Sequence, residues 1–103
     1  MAECTLVWNT EEKLFCLQEI DKRLKTVLHV YEKSVEDKSY DYKAYVYAVI
    51  LYVASVKNLF ECELTNVIVN LNSLYINTFE KQQIRKLVLE CKHIIRDIQN
   101  TMR

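Results

Sequence analysis

Glycine and proline are both absent from this chain of 103 residues. An average protein contains about 7% glycine and about 5% proline, so the double absence is a strong compositional signal. Glycine supplies the positive φ angles of tight hairpin turns and bulges, and proline pre-sets turns and ends helices. Sandwiches, barrels and meanders depend on such turns, whereas helices joined by short polar turns do not. The composition therefore predicts an all-α fold.

The missing glycine also excludes several kinds of functional site. Gly-rich phosphate loops, the dinucleotide-binding fingerprint and the Gly-x-Ser-x-Gly nucleophile elbow all require glycine, either for close backbone approach or for a sharp turn. We therefore expect no nucleotide cofactor bound in one of these ways and no hydrolase of that type. No small-molecule substrate is evident from the sequence.

The four cysteines do not have the spacing of a metal site. Structural zinc sites use pairs such as Cys-x₂₋₄-Cys, and here no two cysteines are closer than twelve positions. The closest cysteine and histidine are Cys91 and His93, which point to different sides of a helix when they are two positions apart. The same geometry argues against a Cys–His nucleophile. We expect no metal site, no cofactor and no catalytic residues, and hence a protein that is not an enzyme.

Signals for secretion and for membrane insertion are also missing. The first eight residues lack both a basic start and a long apolar run, which argues against a signal peptide. The longest apolar stretch, 44–56, is shorter than the ~18 residues that a membrane span needs. Scattered cysteines are typical of free thiols in a reducing compartment. We expect an intracellular protein of the cytoplasm or nucleus that is not secreted and has no membrane span.

Apolar residues at three-and-four spacing predict an antiparallel four-helix bundle within a single domain, 1–103. The predicted helices are 10–36, 42–60, 64–77 and 79–101. Asn9 with Glu12, and Asn77 with Glu80, resemble capping boxes at the start of the first and last helices, and Ser39 and Asp41 are both placed to cap the second. The second helix is apolar nearly all round, which predicts that it is the central and most buried one.

Charge is balanced overall but unevenly distributed. Residues 1–80 contain eight basic and twelve acidic side chains, whereas residues 81–103 contain six basic and two acidic ones. In the last helix, one row consists of Lys81, Arg85, Lys92 and Arg96, and Lys86 and His93 form a neighbouring row. This face could bind an acidic protein partner or a nucleic-acid backbone, or it could complement the acidic remainder of the chain. Zero net charge and the lack of aromatic residues after Phe79 argue against nucleic acid.

Aromatic residues form the second candidate surface. Half of the residues are apolar and seven are tyrosines, which is a large amount for a small domain to bury. The cluster of Tyr40, Tyr42, Tyr45, Tyr47 and Tyr52 is a candidate partner-binding surface because tyrosine is enriched at interface hot spots. Tyr40, Tyr42 and Tyr45 are the residues that we assign to this surface. Trp8 could insert into a partner or anchor the N-terminal segment on the bundle. Positions at the edge of the core would account for the tyrosines equally well.

These observations predict a non-catalytic protein–protein interaction or assembly module. It would be a homo-oligomer or a small subunit of a larger complex, and self-association or a partner could complete the bundle. The alternative is a helical nucleic-acid-binding accessory protein that uses the basic face of the last helix.

Overall fold

A computed structural model of the protein describes residues 10–37, 39–60, 63–77 and 80–102. Within these ranges the chain forms four α-helices and one short 3₁₀ helix, and no strand. The all-α four-helix bundle is therefore confirmed. The elements are α1 (Thr10–Glu36), α2 (Tyr42–Val56), the 3₁₀ helix (Lys57–Phe60), α3 (Thr65–Ile76) and α4 (Lys81–Met102).

The predicted helix limits are close to the observed ones. The first helix has the predicted bounds, and α3 is one residue shorter at each end than the predicted 64–77. The predicted second helix, 42–60, changes from α to 3₁₀ geometry at Lys57. The last helix ends at Met102, one residue beyond the prediction, and its predicted start at 79 lies outside the described residues.

Side-chain carboxylates organise the glycine-free turn between α1 and α2. The backbone N–H of Ser39 donates to Asp37 Oδ1 at 2.9 Å, and that of Lys43 donates to Asp41 Oδ1 at 3.1 Å. The first of these hydrogen bonds lowers the pKa of Asp37. The second makes Asp41, one of the two predicted candidates, the N-cap of α2, because a carboxylate satisfies an amide that has no partner within the helix.

The predicted capping box at the start of the last helix is wrong in position. Asn77 instead ends α3, where its backbone N–H donates to the Ser73 carbonyl at 3.0 Å. At the start of α4, the backbone N–H of Glu80 donates to Gln83 Oε1 at 3.1 Å. The capping contact therefore joins Glu80 to Gln83, three residues further along the chain than the predicted pair. The corresponding prediction for Asn9 lies outside the described residues.

The helices form two layers, with α1 beside α4 in one and α2 beside α3 in the other. The main packing contacts are α1 with α2, α2 with α3, α3 with α4 and α1 with α4, so each helix has two principal neighbours. The body is elongated, 55 × 23 × 19 Å. All elements contribute to the core between the layers, which contains Leu17, Ile20, Leu24, Val27, Val46, Val49, Val53, Phe60, Leu64, Val67, Leu71, Leu74, Ile84, Val88, Cys91 and Ile95.

The prediction that the second helix is central and most buried is wrong. In α2 only Val46, Val49 and Val53 are buried, and the other side of the helix is exposed. An arrangement of four helices in two layers has no central helix, because each member faces the core with one side and solvent with the other. The apolar circumference of α2 therefore reflects two apolar sides, of which only one is used within the bundle.

Candidate interaction surface

The predicted basic row of the last helix lies along the edge where α4 meets α1. The Arg85 guanidinium contacts the Glu32 carboxylate of α1, and Lys92 Nζ lies 4.0 Å from Asp21 Oδ1. The Lys92 side chain is only 16% exposed in this position. Two of the four residues in the row are thus engaged by carboxylates of the neighbouring helix. Lys81 and Arg96 are both exposed.

The electrostatics of Glu32 reflect this pairing. A hydrogen bond from Arg85 is the largest influence, and the positive charges of Arg85 and Lys81 add to it, so the pKa of Glu32 lies below its ordinary value. A carboxylate whose charged form is favoured in this way stays ionised next to its partner. The acidic and basic segments that the sequence distinguishes therefore meet across α1 and α4.

The neighbouring row, Lys86 and His93, faces solvent on α4. These residues, together with Leu89, line an open depression of about 670 Å³. All of its lining residues belong to one helix, so it is a shallow strip of surface and not an enclosed ligand site. His93 Nε2 lies 3.5 Å from Asp97 Oδ2, one turn further along the same helix.

The predicted tyrosine surface does not form as a single patch. Tyr42 is half-buried and packs edge-on against Tyr31 of α1, with ring centroids 4.9 Å apart, and burial raises its pKa. Tyr40 and Tyr45 are exposed, and Lys33 Nζ lies 6.0 Å from the ring centroid of Tyr40. Trp8 lies outside the described residues. Of the predicted aromatic residues, Tyr42 therefore belongs to the contact between α1 and α2.

The structure reveals a different candidate surface, on the outer side of the α2 and α3 layer. On each helix, a row of exposed residues lies on the side away from the core, and we call these two rows the outer seams. Together they make up the α2/α3 surface. Every member of both sets is exposed. The outer seam of α2 comprises Ala44, Tyr47, Leu51 and Ala54, and that of α3 comprises Thr65, Val69, Asn72 and Ile76.

This surface is both apolar and nearly free of charge. Exposed fractions reach 54% for Leu51, 56% for Val69 and 74% for Ile76. Lys43 is the single charged residue in α2 and α3, whereas α1 alone contains eleven charged residues. Monomeric proteins rarely expose contiguous apolar patches larger than a few hundred Å², and patches above that size usually mark interaction sites.

Contacts between α2 and α3 join the two helices at one end of this surface, where α2 begins and α3 ends. The rings of Tyr47 and Tyr75 lie 5.4 Å apart between centroids, and Lys43 Nζ donates to the Asn77 carbonyl at 3.2 Å. The lysine charge is therefore directed at the C-terminal end of α3, where carbonyl groups have no partner within the helix. The two outer seams are thus joined where α2 begins and α3 ends.

Of this surface, sequence reasoning proposed only Tyr47 as a partner contact, because it assigned the apolar circumference of the second helix to burial. A usable signal was present. Ala44, Tyr47, Leu51 and Ala54 repeat at spacings of three and four, and the buried Val46, Val49 and Val53 do so as well. Two such stripes on one helix indicate two helix-packing sides. Spacing alone does not say which of them faces the core.

The thiols of the described residues are buried and not exposed as reactive groups. Cys16 and Cys91 are both free and buried. Burial raises the pKa of Cys91 to about 12, and its Sγ donates to the Val67 carbonyl at 3.8 Å, so the thiol stays protonated and packs as a small apolar group. In the parts of the chain that the structure describes, no three His, Cys, Asp or Glu side chains are grouped so that they could hold a metal ion.

None of the helices within the described ranges combines the length and the apolar character needed to cross a membrane. No protein-family model matches the chain, and neither do any curated protein sequences or solved structures.

Proposed function

We propose that this protein is a non-catalytic protein–protein interaction and assembly module that binds its partner through the α2/α3 surface. The observation that carries the proposal is the exposure of Leu51, Val69 and Ile76 on two helices that together contain a single charged residue. Outward helix faces of soluble proteins are normally charged or polar. An apolar outward face is stabilised when a partner removes it from water, by about 25 cal/mol for each Å² of apolar area buried.

The site of action that we propose is the interior of the cell. Cys16 and Cys91 are free thiols within the core, and a reducing compartment is the environment in which thiols persist without pairing. The thiols are compatible with this location, and the interaction role does not depend on it.

Paired variants at two exposed leucines test the proposal. Leu51 lies on the α2/α3 surface and is 54% exposed, and Leu89 lies on the outer side of α4 and is 55% exposed. We expect Leu51→Glu to abolish binding, because complex formation would bury an unpaired carboxylate. Leu89→Glu should leave binding unchanged. The two variants have the same residue change and the same exposure, so they differ only in the surface that they alter.

The measurement is affinity capture with the tagged full chain from its native cells, followed by quantitative mass spectrometry. Proteins that are retained by the wild type and by Leu89→Glu, and reduced at least tenfold by Leu51→Glu, support the proposal; tenfold corresponds to about 1.4 kcal/mol of binding free energy. Circular dichroism and thermal melting establish that each variant is folded. Equal capture by all three proteins would contradict an interaction role for the α2/α3 surface.

A nucleic-acid-binding accessory role for the basic face of α4 has less support. Arg85 and Lys92 lie against Glu32 and Asp21, so part of the positive charge is already matched within the bundle. A salt-dependent gel shift with DNA or RNA that is abolished by Arg85→Glu combined with Arg96→Glu would favour this role. The absence of binding at low salt would remove it.

A further inference from the structure

The outer seams have the geometry of a helix-packing surface. Their members repeat at alternating spacings of three and four residues, the pattern by which side chains of one helix fit between those of another. The inner side of α3 uses the same pattern within the core, with Leu64, Val67, Leu71 and Leu74 all buried. The α2 and α3 layer therefore presents one packing side to α1 and α4 and a second to solvent.

We propose that the occupant of this surface is a second copy of the same chain, whose α2 and α3 layer packs face to face against the first across a two-fold axis. The inference rests on the proposed function, and it names the partner for the same surface. In such a dimer, four helices from the two α2 and α3 layers would enclose a second apolar core. This repeats, between chains, the packing of layer on layer that forms the first core within the chain.

The lack of charge favours self-association over binding to a different protein. A two-fold interface places each residue of the patch against another residue of the same patch, so a patch without charged residues buries no charge and needs no opposite charge in its partner. The outer seams contain no charged residue, and Lys43, on the same helix as one of them, donates to the Asn77 carbonyl of its own chain. The α1 and α4 side carries many charges of both signs. Complementary charges are the usual source of specificity toward a different partner, and the α2/α3 surface has none to offer.

The polar residues of the surface are also self-complementary. Thr65 and Asn72 lie in the outer seam of α3, and Asn58 is exposed just beyond α2. Amide and hydroxyl groups contain both a donor and an acceptor, so each can pair with the same group of a second copy. Carboxylates only accept and ammonium groups only donate, and these are the groups that the surface lacks.

Shape and size indicate the strength of association. Ala44 and Ala54 allow close approach beside the larger Tyr47 and Leu51 in the outer seam of α2. Two helices as long as α2 and α3, lying about 10 Å apart, cover a flat area of about 400 Å² per chain, which we call the footprint. Stable interfaces bury about 800 Å² per partner, and the footprint underestimates the area of a corrugated surface. We therefore expect a reversible dimer with a dissociation constant in the micromolar range.

Sedimentation velocity of the purified full chain over a wide range of micromolar concentrations tests this inference. We expect the wild type to shift from monomer to dimer as its concentration rises. Leu51→Glu should weaken dimerisation at least tenfold, and Ile76→Glu should do the same from the other helix. The matched controls Leu89→Glu and Val35→Glu change residues that are equally apolar and exposed, on α4 and α1, and should dimerise like the wild type.

Each other outcome overturns the inference in a distinguishable way. A wild type that stays monomeric throughout refutes self-association, and capture experiments with the Leu51 and Leu89 variants then decide whether the surface binds another protein. Dimers that survive both Leu51→Glu and Ile76→Glu refute this surface as the interface. The same holds if the control variants lose dimerisation equally. Urea denaturation of each variant ensures that a loss of dimer is not a loss of fold.

Lipid is the remaining alternative occupant of the surface, and a vesicle-binding experiment distinguishes it from a second copy of the chain. Cosedimentation with phosphatidylcholine vesicles is measured for the wild type and for Leu51→Glu. Self-association predicts no binding of the wild type to these vesicles. A wild type that is monomeric in solution and binds vesicles only when Leu51 is intact would identify the surface as lipid-facing, and both the dimer and the proposed protein interaction would be wrong.

Discussion

The outer side of α1 and α4 differs from that of α2 and α3 in the way its side chains meet water. On the first side, Arg85 contacts Glu32 and Lys92 approaches Asp21, so charges of opposite sign are matched between the two helices. On the second side, large apolar residues such as Ile76 are exposed, and α2 and α3 together contain one charged residue, Lys43. The two sides share one core, but only one of them has the composition of a surface adapted to solvent.

The comparison shows that a conspicuous charge pattern in the sequence can be matched within the fold. The basic row of the last helix is prominent in the sequence because acidic residues are concentrated elsewhere. Once the chain folds, part of that row is matched by α1. Apolar residues on the outer seams have no such partner within the described residues, and exposing them to water is unfavourable.

The largest expected effect is on the free energy of unfolding, when a buried and an exposed leucine of the α2 and α3 layer are each changed to alanine. Leu71→Ala removes a fully buried side chain and should lower the free energy of unfolding by about 2–5 kcal/mol. Leu51→Ala on the outer seam should change it by about 0.5 kcal/mol or less, when the protein is dilute enough to be monomeric. Urea denaturation followed by circular dichroism measures both. Similar losses for the two variants would mean that the outer seam is already buried, and the contrast between the two sides of the layer would fail.

A second effect concerns salt. Contacts through the uncharged α2/α3 surface should not weaken as sodium chloride is raised, and we expect less than about a twofold increase in the dissociation constant of the dimer. Binding through the basic row of α4 would instead weaken steeply, because salt screens exposed charges. Sedimentation velocity at low and high salt distinguishes the two surfaces. A dimer that dissociates at high salt would move the interface to the charged side.

The smallest expected effect sharpens the description of the charged side. Arg85→Ala should raise the pKa of Glu32 toward its ordinary value, because the hydrogen bond from Arg85 is the main reason that this pKa is low. Carbon-detected NMR titration of the side-chain carboxyl group measures the shift. Arg96→Ala is the matched control and should leave the pKa of Glu32 unchanged, since Arg96 is not among the groups that influence it.

The direction in which stability depends on pH follows from the lowered pKa of Glu32. The pKa of Glu32 is lower in the folded than in the unfolded protein, so the pair stabilises the fold above the ordinary glutamate pKa. That contribution is lost as the pH falls through the lowered value. The Arg85→Ala variant should lack this part of the acid dependence. An unchanged acid unfolding profile would show that the contact between Arg85 and Glu32 does not persist in solution.

Local structure was largely predictable from the sequence. Apolar spacing in the first and last helices predicted limits within a residue or two of those observed, because burial of one helix side dominates both segments. A side-chain cap at the start of α2 was predictable for a similar reason, since it needs only a neighbouring backbone amide, but the structure decided for Asp41 over Ser39. The capping contact at Glu80 was misplaced, because Asn77 is equally suited to end one helix or to begin the next.

The candidate site was much less predictable. Tyr42 turned out to pack against Tyr31, and Lys92 to lie beside Asp21, and both contacts join residues of different helices. Spacing within one helix places such residues on a common face but does not identify what lies opposite. Apolar residues of α2 that now define the candidate surface, Leu51 among them, were assigned to the core, because an apolar stripe has the same spacing whether it is buried or exposed.

The sequence by itself determined that the chain folds as helices. Without glycine or proline there is little to break a helix or form a hairpin, and three-and-four spacing of apolar residues gives each helix a side to bury. Only the tertiary structure decided which side of α2 faces inward, because Val49 and Leu51 belong to stripes of the same periodicity. The choice depends on how the side chains of four helices fill one core, and that is a property of the packed bundle and not of any single segment.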